Sequence, residues 1–122
     1  MPSALSLYGQ RANERKTALI WLRMKMGDFM RYHGVLLDAI MTFGERAQMV
    51  VALEELAELQ KEITKQLRGE GNLDHLSEEM ADVQIMLDQL EIMFANRGDV
   101  ATWQNVKAAR LAQRIAEYKA NE

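Results

Sequence analysis

Two acidic clusters sit in the middle of this chain. The first is Glu54-Glu55-Leu56-Ala57-Glu58 and the second is Glu78-Glu79-Met80-Ala81-Asp82. On a helix, residues three apart share a face, so Glu55 pairs with Glu58 and Glu79 with Asp82. Two helices packed antiparallel would bring these four carboxylates to one place. Like charges at that range repel unless a cation sits between them. Oxygen donors alone suit Mg²⁺, with Mn²⁺ as a substitute, better than zinc. The chain has no cysteine. Its two histidines, His33 and His75, read as surface or satisfied core residues. An ion held in this way neutralises phosphate oxygens and lowers the pKa of a bound water. A carboxylate left over from ligation can act as general base.

A lone EExxE string is commonplace on a solvated helix, where Glu58–Lys61 and Glu62–Lys65 would be ordinary pairs. The second cluster differs because it abuts an apolar run, where an unpaired charge is costly.

The elements that carry these acids follow from periodicity. Glu45 to Arg68 predicts a long helix with Met49, Leu53, Leu56, Ile63 and Leu67 as its main apolar stripe. Glu55, Glu58 and Glu62 lie on another stripe, roughly 140° away at ~100° per residue. Gly69-Glu70-Gly71-Asn72 predicts a turn. Leu73 to Ala95 predicts the second core helix, with Leu76, Met80, Val83, Leu87, Leu90 and Phe94 at heptad spacing. Beside that seam runs the stripe Glu79, Asp82, Met86, Gln89 and Met93. Ile85 and Ile92 mark a third side and point to an oligomer interface.

Elsewhere, residues 1–10 read as a loose arm and Arg11 to Met26 as a helix. Gly27-Asp28 reads as a break. Phe29 to Phe43 reads as a further helix, whose start Gly34 leaves open as late as Val35. Gly44 ends it. Asn96 to Gly98 predicts a turn, and Asp99 or Thr102 caps a last helix from Trp103 to Lys119. No strand pattern competes. The expectation is all-α: a four- to five-helix antiparallel bundle over residues 1–122, a single domain.

The 122 residues are 48% hydrophobic and 27% charged, which is the balance of a globular chain. A net charge of −3 argues against general nucleic-acid binding. The apolar run Ala18 to Met26 is too short to span a bilayer. A cytoplasmic location and no membrane partner are therefore expected. No Glu-x-x-His occurs, which argues against a ferritin-like di-iron bundle.

The two-part signature Glu54-Glu55-Leu56-Ala57-Glu58 … Glu79-Met80-Ala81-Asp82 resembles that of the MazG-like all-α nucleoside triphosphate pyrophosphohydrolases. The lead-in Phe43-Gly44-Glu45-Arg46-Ala47-Gln48 and the run Asp82 to Leu87 resemble small single-domain members, particularly phage ones. The similarity covers residues 36–95. It implies a helical bundle, usually a dimer or tetramer, that uses Mg²⁺ to cleave (deoxy)nucleoside triphosphates into a monophosphate and pyrophosphate. Carried over by position, Glu55, Glu58, Glu79 and Asp82 are the metal ligands and catalytic acids. Gln89 stands where many members have an Asn. Lys61, Lys65, Lys107, Arg110 and Arg114 are candidates for the phosphate chain. A dUTPase-like or other specialised diphosphohydrolase shares this chemistry. A non-enzymatic oligomerisation or adaptor module is the reading from another class.

Overall fold

The computed structural model describes residues 14–16, 19–20, 27 and 32–122. The expected arm at residues 1–10, Trp21 and Asp28 lie outside the described residues, as does most of the expected helix from Arg11 to Met26. All regular structure among the described residues is helical. The chain divides into two compact units, residues 1–38 and 39–122, and both acidic clusters belong to the second.

Helix α1 covers residues 32–43, α2 Glu45–Leu67, α3 Leu73–Phe94 and α4 Arg97–Ala120. Gly27, expected as a break, is itself helical. A lone glycine costs a helix interior only about 1 kcal/mol, which neighbouring residues can outweigh. Gly34 is helical for the same reason, and α1 does not wait for Val35.

The α1–α2 junction is one residue. Gly44 has φ +93° and ψ 151°, a conformation essentially closed to residues with a Cβ. Its N–H donates to the Ile40 carbonyl and its carbonyl accepts from the Gln48 N–H. One helix therefore ends and the next begins across a single peptide. The α2–α3 turn uses Gly69 at φ +75°. Asn72 then caps α3, its Oδ1 accepting from the His75 N–H at 3.2 Å.

The last helix begins at Arg97, six residues ahead of the expected start. Gly98 lies inside its first turn, where backbone N–H groups lack intrahelical partners in any case. Thr102 does not cap: its hydroxyl donates back to the Gly98 carbonyl at 3.0 Å. The joint to α3 is only Ala95, in the left-handed region at φ 48°, and Asn96. Arg97 is tied to Glu91 at 3.6 Å across it.

Helices α2 and α3 pack on each other, and a five-residue turn makes them antiparallel. The contact line is not the expected one. On α2 it follows Gln48, Ala52, Glu55, Leu59 and Glu62, all buried or half-buried. On α3 it follows Leu76, Glu79, Val83, Met86, Gln89 and Met93. The expected apolar stripe of α2 faces outward instead: Met49, Leu53, Leu56, Ile63 and Leu67 are all exposed. So are Met80, Leu87 and Phe94 of the α3 heptad seam. Ala52 at mid-helix lets the backbones approach, and the acids follow that line inward. Helix α4 packs along its length on neither α2 nor α3, and residues 101–122 are exposed.

Gly44→Ala is expected to destabilise the protein by about 1–3 kcal/mol, the cost of a Cβ in this backbone region. Urea unfolding followed by circular dichroism measures it. An unchanged midpoint would show that the junction can relax to another conformation.

Candidate metal centre

Helix α2 supplies Glu55, and α3 supplies Glu79 and Asp82 one turn apart. One carboxylate oxygen from each lies within 4.8 Å of the other two. All three residues are half-buried. Oxygens on opposite sides of one Mg²⁺ lie about 4.2 Å apart, so small side-chain rotations would let all three share an ion.

The electrostatics show what this convergence costs. Glu55 lies close enough to Asp82 and Glu79 for the three carboxylates to act on one another. The Glu55 carboxyl is raised above the ordinary glutamate range, first by withdrawal from water and then by repulsion from Asp82 and Glu79. Glu79 is raised for the same leading reason, then by Asp82, Glu58 and Glu78, with the hydrogen bond from Glu55 partly offsetting this. Glu79 Oε2 is buried without a hydrogen-bond partner. Oxygen-only donors, surplus negative charge and an orphaned oxygen together fit a hard divalent cation.

Of the four expected ligands, the structure brings three together. Glu58 is exposed, one turn beyond Glu55, and contributes no oxygen to the group. Its charge still reaches Glu79. Glu54 is exposed as well.

The expected phosphate binders are more scattered. Lys65 Nζ is held by Glu62 Oε1 at 3.3 Å. Lys61 is exposed beside a shallow groove that it lines with Ala57, Gln60, Thr64 and Arg68. Lys107 and Arg110 are exposed on α4, and the Lys107 ammonium lies 6.0 Å from the Trp103 ring centroid. Gln89 is 4% exposed. Its Oε1 has no hydrogen-bond partner.

Of the buried polar residues, Gln48 was not singled out from the sequence, whereas Glu62 was expected on the acidic stripe of α2 but not as buried. Gln48 and Glu62 lie on the same α2 line as Glu55, and Glu62 Oε2 is buried without a partner. Their spacing of seven on either side of Glu55 was the available signal. Met86 and Met93, of the same stripe as Glu79 and Asp82, lie on the α3 contact line, with Met86 buried.

The raised acids make a signed prediction. A folded-state pKa above the unfolded value means that the native state binds more protons, so stability falls as pH rises. This contribution is fully present below the ordinary glutamate pKa and is lost as pH climbs through the raised folded value. Without divalent ions, Glu55→Gln should therefore be more stable than wild type at neutral pH. The gap should close towards acid pH, and urea midpoints in EDTA across that range measure it. Compared with protein-family models, with curated proteins and with solved structures, the chain matches none.

Proposed function

We propose that this chain is a Mg²⁺-dependent nucleoside triphosphate pyrophosphohydrolase of the MazG-like kind. One observation carries the reading: Glu55, Glu79 and Asp82 converge, half-buried, with a surplus of negative charge. The motif resemblance supplies the substrate class, (d)NTP, with a deoxynucleotide favoured.

Glu55, Glu79 and Asp82 would hold the ion. When bound, it neutralises phosphate oxygens and makes a bound water a better nucleophile near neutral pH. Glu58, outside the three-oxygen group and one turn from Glu55, is the carboxylate free to take the proton of the attacking water. Water adds to the α- or β-phosphorus, the anhydride bond between them breaks, and pyrophosphate and a monophosphate leave. Lys61 stands on the same side of α2 as Glu58, within reach of a phosphate chain. The unpartnered Gln89 oxygen offers an acceptor to a sugar hydroxyl or a base N–H. Lys107 and Arg110, on α4, would join the site only through assembly or repositioning of that helix. Assembly as a homo-oligomer belongs to the same reading, supported by the outward apolar stripes of α2 and α3.

Helix α4, exposed from residue 101 onward, favours one second reading, a helical assembly module without catalysis. The two part on a simple observable. The enzyme gains thermal stability from Mg²⁺ plus nucleotide, because a ligand of the native state stabilises it. The assembly module does not respond.

Mg²⁺-dependent release of pyrophosphate from at least one nucleotide of a full NTP and dNTP panel is expected. Loss of roughly 10²-fold or more is expected in Glu55→Ala and Asp82→Ala, the scale on which removal of a key charge-stabilising group acts. Folded protein inert towards the whole panel with both Mg²⁺ and Mn²⁺ sinks the proposal. Separately, Mn²⁺ is expected to raise the melting temperature of wild type, and Glu79→Gln to abolish most of that gain.

A further inference from the structure

The net charge of −3 is unevenly spread along the chain. Helix α4 holds five cations, Arg97, Lys107, Arg110, Arg114 and Lys119, against the two acids Asp99 and Glu117. It therefore carries +3, which leaves −6 on the remainder of the chain. The cations are ordered as well as numerous. Trp103, Lys107, Arg110, Arg114 and Tyr118 follow one another at spacings of four, three, four and four. At ~100° per residue they fall within roughly 80° of arc, so two aromatic rings bracket three cations on one face. The stripe is about 22 Å long at ~1.5 Å per residue.

All five side chains are exposed, Trp103 at 55% and Tyr118 at 71%. Elsewhere in the chain Lys65, Arg68 and Arg97 each sit against an acid. Lys107, Arg110 and Arg114 have no ion-pair partner among the described residues. The Lys107 ammonium lies instead beside the Trp103 ring. Glu117, the acid that borders the stripe, is engaged by Gln113, whose Nε2 donates to it at 3.0 Å.

We propose that this face of α4 binds a single-stranded polynucleotide. Its charge is complementary to a polyanion, and cations clustered along one helix are the electrostatic footprint of nucleic-acid binding even on an acidic chain. The two rings narrow the choice. Unpaired bases stack on exposed aromatic side chains while cations track the phosphates, and both kinds of group stand here on the same face. An anionic lipid surface fits less well. A helix lying on lipid keeps its aromatic side chains on the apolar face and its cations on the other, whereas Trp103 shares the face of Lys107, Arg110 and Arg114. The acids Glu55, Glu79 and Asp82 belong to α2 and α3, so binding to α4 does not depend on their holding a cation.

Fluorescence anisotropy of labelled oligo(dT) and oligo(U), titrated with the full chain at low salt, tests the proposal. EDTA keeps any cation from bridging a strand to the acids. Wild type is expected to bind, and a preference for one oligonucleotide would identify DNA or RNA as the source of the strand. Log K against log salt is expected to fall with a slope of about −2, from ~0.7 per neutralised phosphate in single strands and three cations. Arg110→Glu and Arg114→Glu are each expected to weaken binding by roughly 10-fold or more. Trp103→Ala is expected to weaken it by roughly 5-fold or more, the lower end of the value of one stacked base, with the salt slope unchanged. Trp103→Phe should recover most of that loss. Residues 101–122 are exposed, so all these variants should keep the helical circular-dichroism signal.

Lys119→Glu is the control. It changes the net charge as Arg114→Glu does, but from a position roughly 140° around the helix from the stripe. Equal losses in these two variants overturn the proposal, since net charge alone would then explain binding. A wild type that binds neither oligonucleotide overturns it, as does full affinity in Trp103→Ala. Displacement of the oligonucleotide by phosphatidylserine vesicles at equal phosphate concentration overturns it in favour of a membrane surface. Glu55→Ala is expected to bind the strand like wild type, and loss of binding in that variant would show that the strand sits at the acids instead.

Discussion

Three carboxylates drawn into the line between two helices set the terms for the rest of this structure. Glu55, Glu79 and Asp82 repel one another, and with partial withdrawal from water this raises the Glu55 and Glu79 carboxyls above the ordinary glutamate range. Because the contact line also carries Gln48, Glu62 and Gln89, it offers less apolar burial than a helix pair of this length could. The buried apolar residues along it are few: Ala52 on α2, Val83 and Met86 on α3. The hydrophobic residues are not missing from the sequence. They are turned outward, so the α2–α3 contact by itself withdraws little apolar surface from water.

This arrangement separates two tasks by direction. One side of the helix pair is charged and flanks the acids, leaving them in reach of water and solutes. The other is apolar and suited to packing. Helical geometry makes the separation inexpensive, since a quarter turn takes only a shift of a few positions in register. Glu55 and Leu56 are neighbours in sequence and belong to different sides.

Much of this was legible in the chain itself, for identifiable reasons. The ends of α2 and the start of α3 could be read because Gly44, Gly69 and Asn72 are residues whose backbone or side chain marks a helix boundary. The pairing of Glu55 with Glu79 and Asp82 could be read because i,i+3 spacing leaves little freedom. Which stripe meets which could not be read. Periodicity defines the faces of a helix but not their neighbours, and the most apolar stripe was the natural first choice for the contact within one chain. Glu58 followed from spacing alone, yet one turn of helix carries it out of the three-oxygen group. The early start of α4 was hidden because Gly98 looks like a stop, and a helix's first turn tolerates it.

The joint between α3 and α4 has a mechanical consequence. With only Ala95 and Asn96 between two helices, the direction of α4 is set by a handful of backbone torsions. Ala95 occupies a left-handed conformation that residues with a Cβ seldom adopt. Helix α4 is 24 residues long, a lever of about 36 Å at ~1.5 Å per residue. A change of about 10° at the joint would sweep its far end through roughly 6 Å over that length. Lys107 and Arg110 ride part-way along this lever. Their distance from any phosphate near the acids is thus governed less by their own rotamers than by the backbone angles of one alanine.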